Sequence, residues 1–161
     1  MSDAQTGHEK TLTAILPALA GANLIYGLGM FETGVIMDYG QLVMDNEFAG
    51  MIKHMLQGIP VNDETLALDV IHEVGPFKDF LSHEHTLKHM YTAQTHPKLI
   101  DRKIREDWEI DGKLDIYQKS WEEARHIVET HRPEPLPEDV QNTIRSIVKE
   151  TEEELKVSKN Q

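Results

Sequence analysis

Apolar residues recur along the chain at helical spacing, and the pattern predicts about six helices. In residues 8–26, HEKTLTAILPALAGANLIY, a single face carries Leu12, Ile15, Leu16 and Leu19. Pro17 and Gly21 fall inside that run and predict a kink. Residues 40–57 place Phe48, Met51, Ile52, Met55 and Leu56 on one stripe, with Gly58 set to end the helix and Pro60 to block its continuation. Residues 62–74 open on Asn62 and Asp63 as capping residues and turn Ala67, Val70, Ile71 and Val74 inward, before Gly75-Pro76 stops them. Ser82 is placed to cap a further helix. After a looser stretch, residues 115–131 form another, with Tyr117, Trp121, Ala124 and Val128 on one face. HRPEPLP, residues 131–137, predicts an extended linker, and Pro137 suits the first turn of the last helix. Val140, Ile144, Ile147, Val148 and Leu155 supply that helix's stripe, and SKNQ reads as a frayed tail.

The segment GLGMFETGVIMDYG breaks this helical pattern. Gly34 to Asp38 is its one candidate for a buried strand, entering the next helix as in a β/α unit. A single strand makes no sheet. A parallel-type strand without neighbours is the first sign of a part of a larger architecture.

Composition narrows the function classes. The 161 residues are 39% hydrophobic, ordinary for a globular chain, and contain no cysteine. Disulfides and thiolate metal sites are therefore excluded. No run is apolar enough to span a bilayer as a helix, and the N-terminus has no signal-peptide core, so a soluble, cytoplasmic protein is expected. The formal net charge of −12 disfavours nucleic acid and anionic membranes. It favours a small cationic or neutral substrate, or a protein partner.

Four places carry candidate chemistry. HEHTLKH, residues 83–89, puts His85 and His89 four apart on one helical face, the spacing of helical zinc sites. Two ligands are too few for a catalytic zinc, and no glutamate stands between them as in HExxH. Polar helix surface is the competing reading, and no metal site is expected. Asp38, at the C-terminal end of the candidate strand, and Tyr39 beside it are placed to line a pocket, while a helix cap competes for Asp38. Glu32 follows Phe31 in a glycine-rich turn, and an acid beside an aromatic suits a cationic substrate, with an exposed turn residue as the alternative. His8 and Glu9 open the first helix, where a histidine serves either as proton donor and acceptor or as a cap. The glycines fit neither a dinucleotide fingerprint nor a P-loop.

The order of motifs is more informative than any one of them. SDAQTGHEKTLTAILPALAGANLIYGLGMFETG, LVMDNEFAGMI, GIPVNDETLALDVIHEVGP, FLSHEHTLKHM, KLIDRKIREDWEIDG and HRPEPLP follow one another. In this the chain closely resembles the C-terminal part of the trimethylamine methyltransferase family, from about Ser2 to Leu155. The resemblance implies the C-terminal portion of a (β/α)8 TIM barrel with additional helices, mostly α-helical here and α/β by class. Residues 1–61 would be the last β/α units and residues 62–161 a helical extension. It implies transfer of a methyl group from trimethylamine, or a related quaternary amine such as glycine betaine, to the cobalt of a corrinoid (cobalamin) carried by a partner protein, in methylamine metabolism and methanogenesis. A homo-oligomer is expected of the full-length protein. His8 and Glu9 then become candidate catalytic residues, and Glu32 and Asp38 candidate substrate-binding residues. The family's HTxxH element, matched by His85 to His89, is read as structural.

The chain departs from the family in length. A barrel of this kind needs about 250 residues, and the N-terminal strands are not present. Trimethylamine enzymes carry pyrrolysine near the point where this sequence starts, and none is written here. The expectation is a downstream reading frame of an amber-interrupted gene, with a genuine short paralogue or a truncated pseudogene product as the competing explanations. Taken alone, such a piece is expected to expose apolar faces and to aggregate or stay molten. A non-catalytic module that docks a corrinoid protein is the alternative function.

Overall fold

The computed structural model describes residues 2–155, so the tail SKNQ lies outside the described residues. The chain divides into two compact units between Glu129 and Thr130.

In the first unit, helix α1 spans Ala4–Leu19, and the Asp3 side chain caps it by accepting the Thr6 N–H. It ends earlier than its periodicity predicts. Gly21 adopts φ 83°, and the N–H groups of Ala20, Gly21 and Ala22 turn back onto Leu16, Ala18 and Pro17. Gly21 is thus a terminator rather than a kink. The buried strand expected over residues 34–38 is corrected to an exposed two-residue strand. Strand β1, Met30–Phe31, pairs antiparallel with β2, Ile36–Met37, in the register Met30↔Met37 and Phe31↔Ile36. Glu32 and Thr33 take left-handed conformations (φ 48° and 54°) and reverse the chain between the two strands.

Helix α2, Tyr39–Met55, matches its prediction, but its inward face is rotated toward Gln41, Met44, Asp45 and Ile52, leaving Met55 and Leu56 exposed. The single helix predicted over 62–74 is two: α3, Asp63–Leu66, and α4, Leu68–Val74, divided at left-handed Ala67. Asn62 does cap α3, in a box with Thr65. Helix α5, Glu84–Met90, is capped not by Ser82 but by His83, whose ring accepts the His85 N–H. The looser stretch holds a short helix α6, Arg105–Ile110, fixed by the Trp108 indole donating to the Leu114 carbonyl. Helix α7, Ile116–Thr130, buries Ser120 and Ala124. In the second unit, helix α8, Glu138–Glu154, follows the extended linker, with Pro137 as its cap residue and no buried side chain.

Among the described residues the fold is mostly helical with one small ribbon. Its buried apolar side chains among the described residues are Met44, Ile52, Val74 and Ala124. Large apolar side chains stay exposed from Leu12 through Leu16, Leu19, Leu24, Tyr26 and Val35 to Tyr39.

Candidate functional site

Asp38 is where the sequence-derived site meets the most structure. Its Oδ1 accepts the Gln41 N–H at 2.7 Å, capping α2, and its Oδ2 accepts the Tyr117 hydroxyl at 2.7 Å. Burial pushes the Tyr117 phenol above its ordinary range, and the neighbouring Asp38 carboxylate adds to the shift. Trp121 meets Tyr117 edge-on, with ring centroids 6.5 Å apart at 88°. Helix α7 comes this close because residue 40 is glycine. A Cβ on Gly40 would lie 2.8 Å from Trp121 Cδ1.

His8 and Glu9 are exposed on the first turns of α1, and Glu9 accepts a 2.9 Å hydrogen bond from Gln5. Glu32 is exposed at the tip of the ribbon. Among the described residues no hydrogen bond or ion pair joins any two of His8, Glu9, Glu32 and Asp38. An open groove of about 1320 Å³ runs along α2 and α7 with Tyr39 at its edge. None of the four residues lines it, and its rim mixes Lys53 and Lys98 with Glu122 and Glu123.

A buried polar network between α1, the ribbon and α2 was not read from sequence. Asp45, only 6% exposed, accepts Lys10 Nζ at 2.6 Å and the Gly29 N–H at 2.8 Å on Oδ2, and Gln41 Nε2 at 2.6 Å on Oδ1. Lys10 also donates to the Gly27 carbonyl at 3.0 Å. Its ammonium stands 6.0 Å from the centre of the Phe31 ring, at the outer limit of a cation–π contact. The cation nearest Phe31 is thus the chain's own. The sequence signal was slight: Gln41 and Asp45, four apart, interrupting an apolar face.

The histidines of HEHTLKH fasten α5 to α3. His85 Nε2 lies 2.8 Å from the Glu64 carbonyl, and His89 Nε2 is buried 3.5 Å from the Glu64 carboxylate, which also pairs with Lys88. The Lys88 hydrogen bond holds the Glu64 carboxyl below its ordinary range. His83 stands 3.6 Å from Glu73. Among the described residues no group of three or more His, Asp or Glu is arranged to hold a metal ion. No helix among them is long and apolar enough to cross a membrane.

The family model described as trimethylamine methyltransferase (MTTB) matches residues 1–156. The chain is 54% identical over 158 residues to the trimethylamine methyltransferase MttB of Desulfitobacterium hafniense (strain DSM 10664 / DCB-2), covering 98% of this chain and 32% of that protein. It is 40% identical over 146 residues to the MttB of Methanosarcina barkeri, covering 91% and 29% respectively. The glycine betaine methyltransferase of Desulfitobacterium hafniense (strain Y51) is 29% identical over 154 residues, 95% of this chain and 32% of that protein. The chain spans about a third of the length of these curated relatives. With the family match running over residues 1–156 and 54% identity to one member across 98% of its own length, the chain belongs to the trimethylamine methyltransferase family.

Proposed function

We propose that this chain forms part of a methyltransferase that moves a methyl group from trimethylamine, or a related quaternary amine such as glycine betaine, to the cobalt of a corrinoid carried by a partner protein. The observation that carries the reading is the 54% identity to a trimethylamine methyltransferase across 98% of the chain. The setting that goes with it is cytoplasmic methylamine metabolism, with residues 1–61 as the last β/α units of a barrel, residues 62–161 as its helical extension, and an oligomeric full-length enzyme, in some relatives with pyrrolysine.

The chemistry makes defined demands on these residues. An amine leaves only when protonated or quaternary, so the site must hold a cation in line with its acceptor and keep water away. The corrinoid, when bound, supplies the reduced cobalt nucleophile. Glu32 and Asp38 provide negative charge toward the cation, and the net charge of −12 draws it from solution. Asp38 is held in one orientation by Gln41 and Tyr117. His8 on α1 moves a proton to or from the amine nitrogen, with Glu9 beside it as the local anion.

The alternative, a non-catalytic module that docks a corrinoid protein, is favoured by the exposed apolar run from Leu12 to Tyr39. Methyl-transfer assays with amine and reduced corrinoid protein separate the two. They should compare this chain alone with a chimera in which it replaces the matching third of the Desulfitobacterium relative. Turnover by the chimera is expected. Corrinoid-protein binding without turnover in either form favours the module, and neither binding nor turnover sinks both.

A further inference from the structure

We infer that Asp45 is the positioning residue of this site: it holds the elements that carry His8, Glu9, Glu32 and Asp38 in one arrangement. The inference rests on the reading of those four as the functional groups.

Asp45 collects donors from three separate elements. Lys10 on α1 directly follows His8 and Glu9 and gives its ammonium to Oδ2. Gly29, three residues before Glu32, gives its N–H to the same oxygen. Gln41 gives its side-chain amide to Oδ1, while its backbone N–H caps α2 through Asp38. Gly29 closes the loop, because its carbonyl accepts the Asp38 N–H at 2.8 Å. Only glycine serves there: φ is +74°, and a Cβ would lie 2.9 Å from Leu42 Cβ. One carboxylate therefore fixes the start of α1, the approach to the Glu32 turn and the start of α2.

Stability alone does not call for this arrangement. A buried ion pair is commonly matched or bettered by apolar residues of similar volume. A charged, multiply bonded acceptor supplies directional placement instead, since each donor must arrive at a set angle and distance. The network meets the Tyr117 contact at Asp38: Gln41 bonds one carboxylate oxygen from α2 and Tyr117 the other from α7.

The test uses the 161-residue chain with D45N, K10M and the double apolar variant Asp45→Leu/Lys10→Met. Amide exchange is followed at Gly29, Asp38 and, for reference, Ala124. The His8 ring proton is followed during titration with trimethylammonium chloride. D45N is expected to speed exchange at Gly29 and Asp38 by about tenfold or more while Ala124 is unchanged. It is also expected to weaken the trimethylammonium response of His8 by about tenfold. The double apolar variant should recover the melting temperature but not the His8 response, a split that a merely structural role would not produce. Retained protection of Gly29 in D45N, or recovery of both properties in the double variant, overturns the inference. If unaltered His8 gives no response to trimethylammonium in this chain, the same titration is made on the chimera with the Desulfitobacterium relative, and no response there sinks the functional reading by itself. Exchange at Gly29 and Asp38 then decides the positioning role alone: fast in D45N supports it and slow overturns it.

Discussion

The contact between Gly40 and Trp121 makes a prediction whose sign can be isolated. Replacing Gly40 by alanine puts a methyl group 2.8 Å from Trp121 Cδ1, 3.0 Å from Nε1 and 3.1 Å from Cγ. These are atoms of a rigid ring, and the ring also stands edge-on to Tyr117. It cannot yield without disturbing the partner of Asp38. Overpacking of this kind costs about 1–3 kcal/mol. Alanine also gains roughly 0.5–1 kcal/mol over glycine inside a helix. Gly50, on the same helix with nothing within 4 Å of its Cβ position, collects that gain without the clash. The difference between Gly40→Ala and Gly50→Ala is then the clash alone. At roughly 2–4 °C per kcal/mol for a chain of this size, Gly40→Ala should melt about 2–12 °C below Gly50→Ala. Thermal melts followed by far-ultraviolet circular dichroism measure it. In a Trp121→Ala background the gap should close, because the methyl group then has room. Equal melting temperatures for the two alanine variants with Trp121 in place would refute the helix–helix contact on which the orientation of Asp38 depends.

Three further outcomes are expected. Tyr117→Phe removes the donor to Asp38 Oδ2; because the folded phenol is raised by burial, stability should fall as pH rises above about 10 in the parent chain and lose that slope in the variant, read by urea melts across alkaline pH. Glu47→Gln should cost about 1–3 kcal/mol and expose the Leu99 amide to exchange, since the Glu47 carboxylate accepts the N–H groups of Lys98, Leu99 and Ile100 at 2.7–3.0 Å. For Glu64 the folded carboxyl lies below its usual value of 4.5, so the link from α3 to α5 is present above that pH and is lost as pH falls through the folded value; Lys88→Met should remove most of this acid dependence, read as a smaller loss of stability in urea melts between neutral and acid pH.

What the sequence made legible followed from local rules. The helical stretches later resolved as α2, α7 and α8, the Asn62 cap and the stop at Gly75 rest on periodicity, side-chain capping and glycine, and each acts within a few residues. The misses are tertiary. Ala67 is a good helix former, and nothing local announces its left-handed break. Gly34 to Asp38 has strand composition, but left-handed Glu32 and Thr33 fold it back on Met30 and Phe31 rather than into a buried sheet. The Asp45 network was hidden for the opposite reason. Periodicity searches for apolar faces, whereas this face is buried through polar groups 16 and 35 residues away in sequence. For Asp38, sequence reading left a pocket residue and a cap as alternatives; the structure gives it the capping bond together with a second partner, Tyr117, 79 residues further on.

Burial and chemistry bear on the same surface. Methyl transfer from an ammonium ion requires a dry site, because water weakens the attraction that holds the cation and competes for the acceptor. His8, Glu9 and Glu32 are exposed in this chain, and so are Leu24, Tyr26 and Val35 at 82%, 81% and 80%. A side chain such as Leu or Val gains about 1.5–3 kcal/mol on full burial. Covering the run from Leu12 to Tyr39 would therefore release much of the free energy needed to strip water from the nearby carboxylates. On the proposed function these two requirements are one event: whatever protein surface closes over the apolar run also lowers the dielectric around Glu32 and Asp38, and their pull on a methylated ammonium strengthens only then. Asp45 gains its importance here, because its carboxylate, already bonded inside the chain by Lys10, Gly29 and Gln41, keeps the other carboxylates in place before that closure.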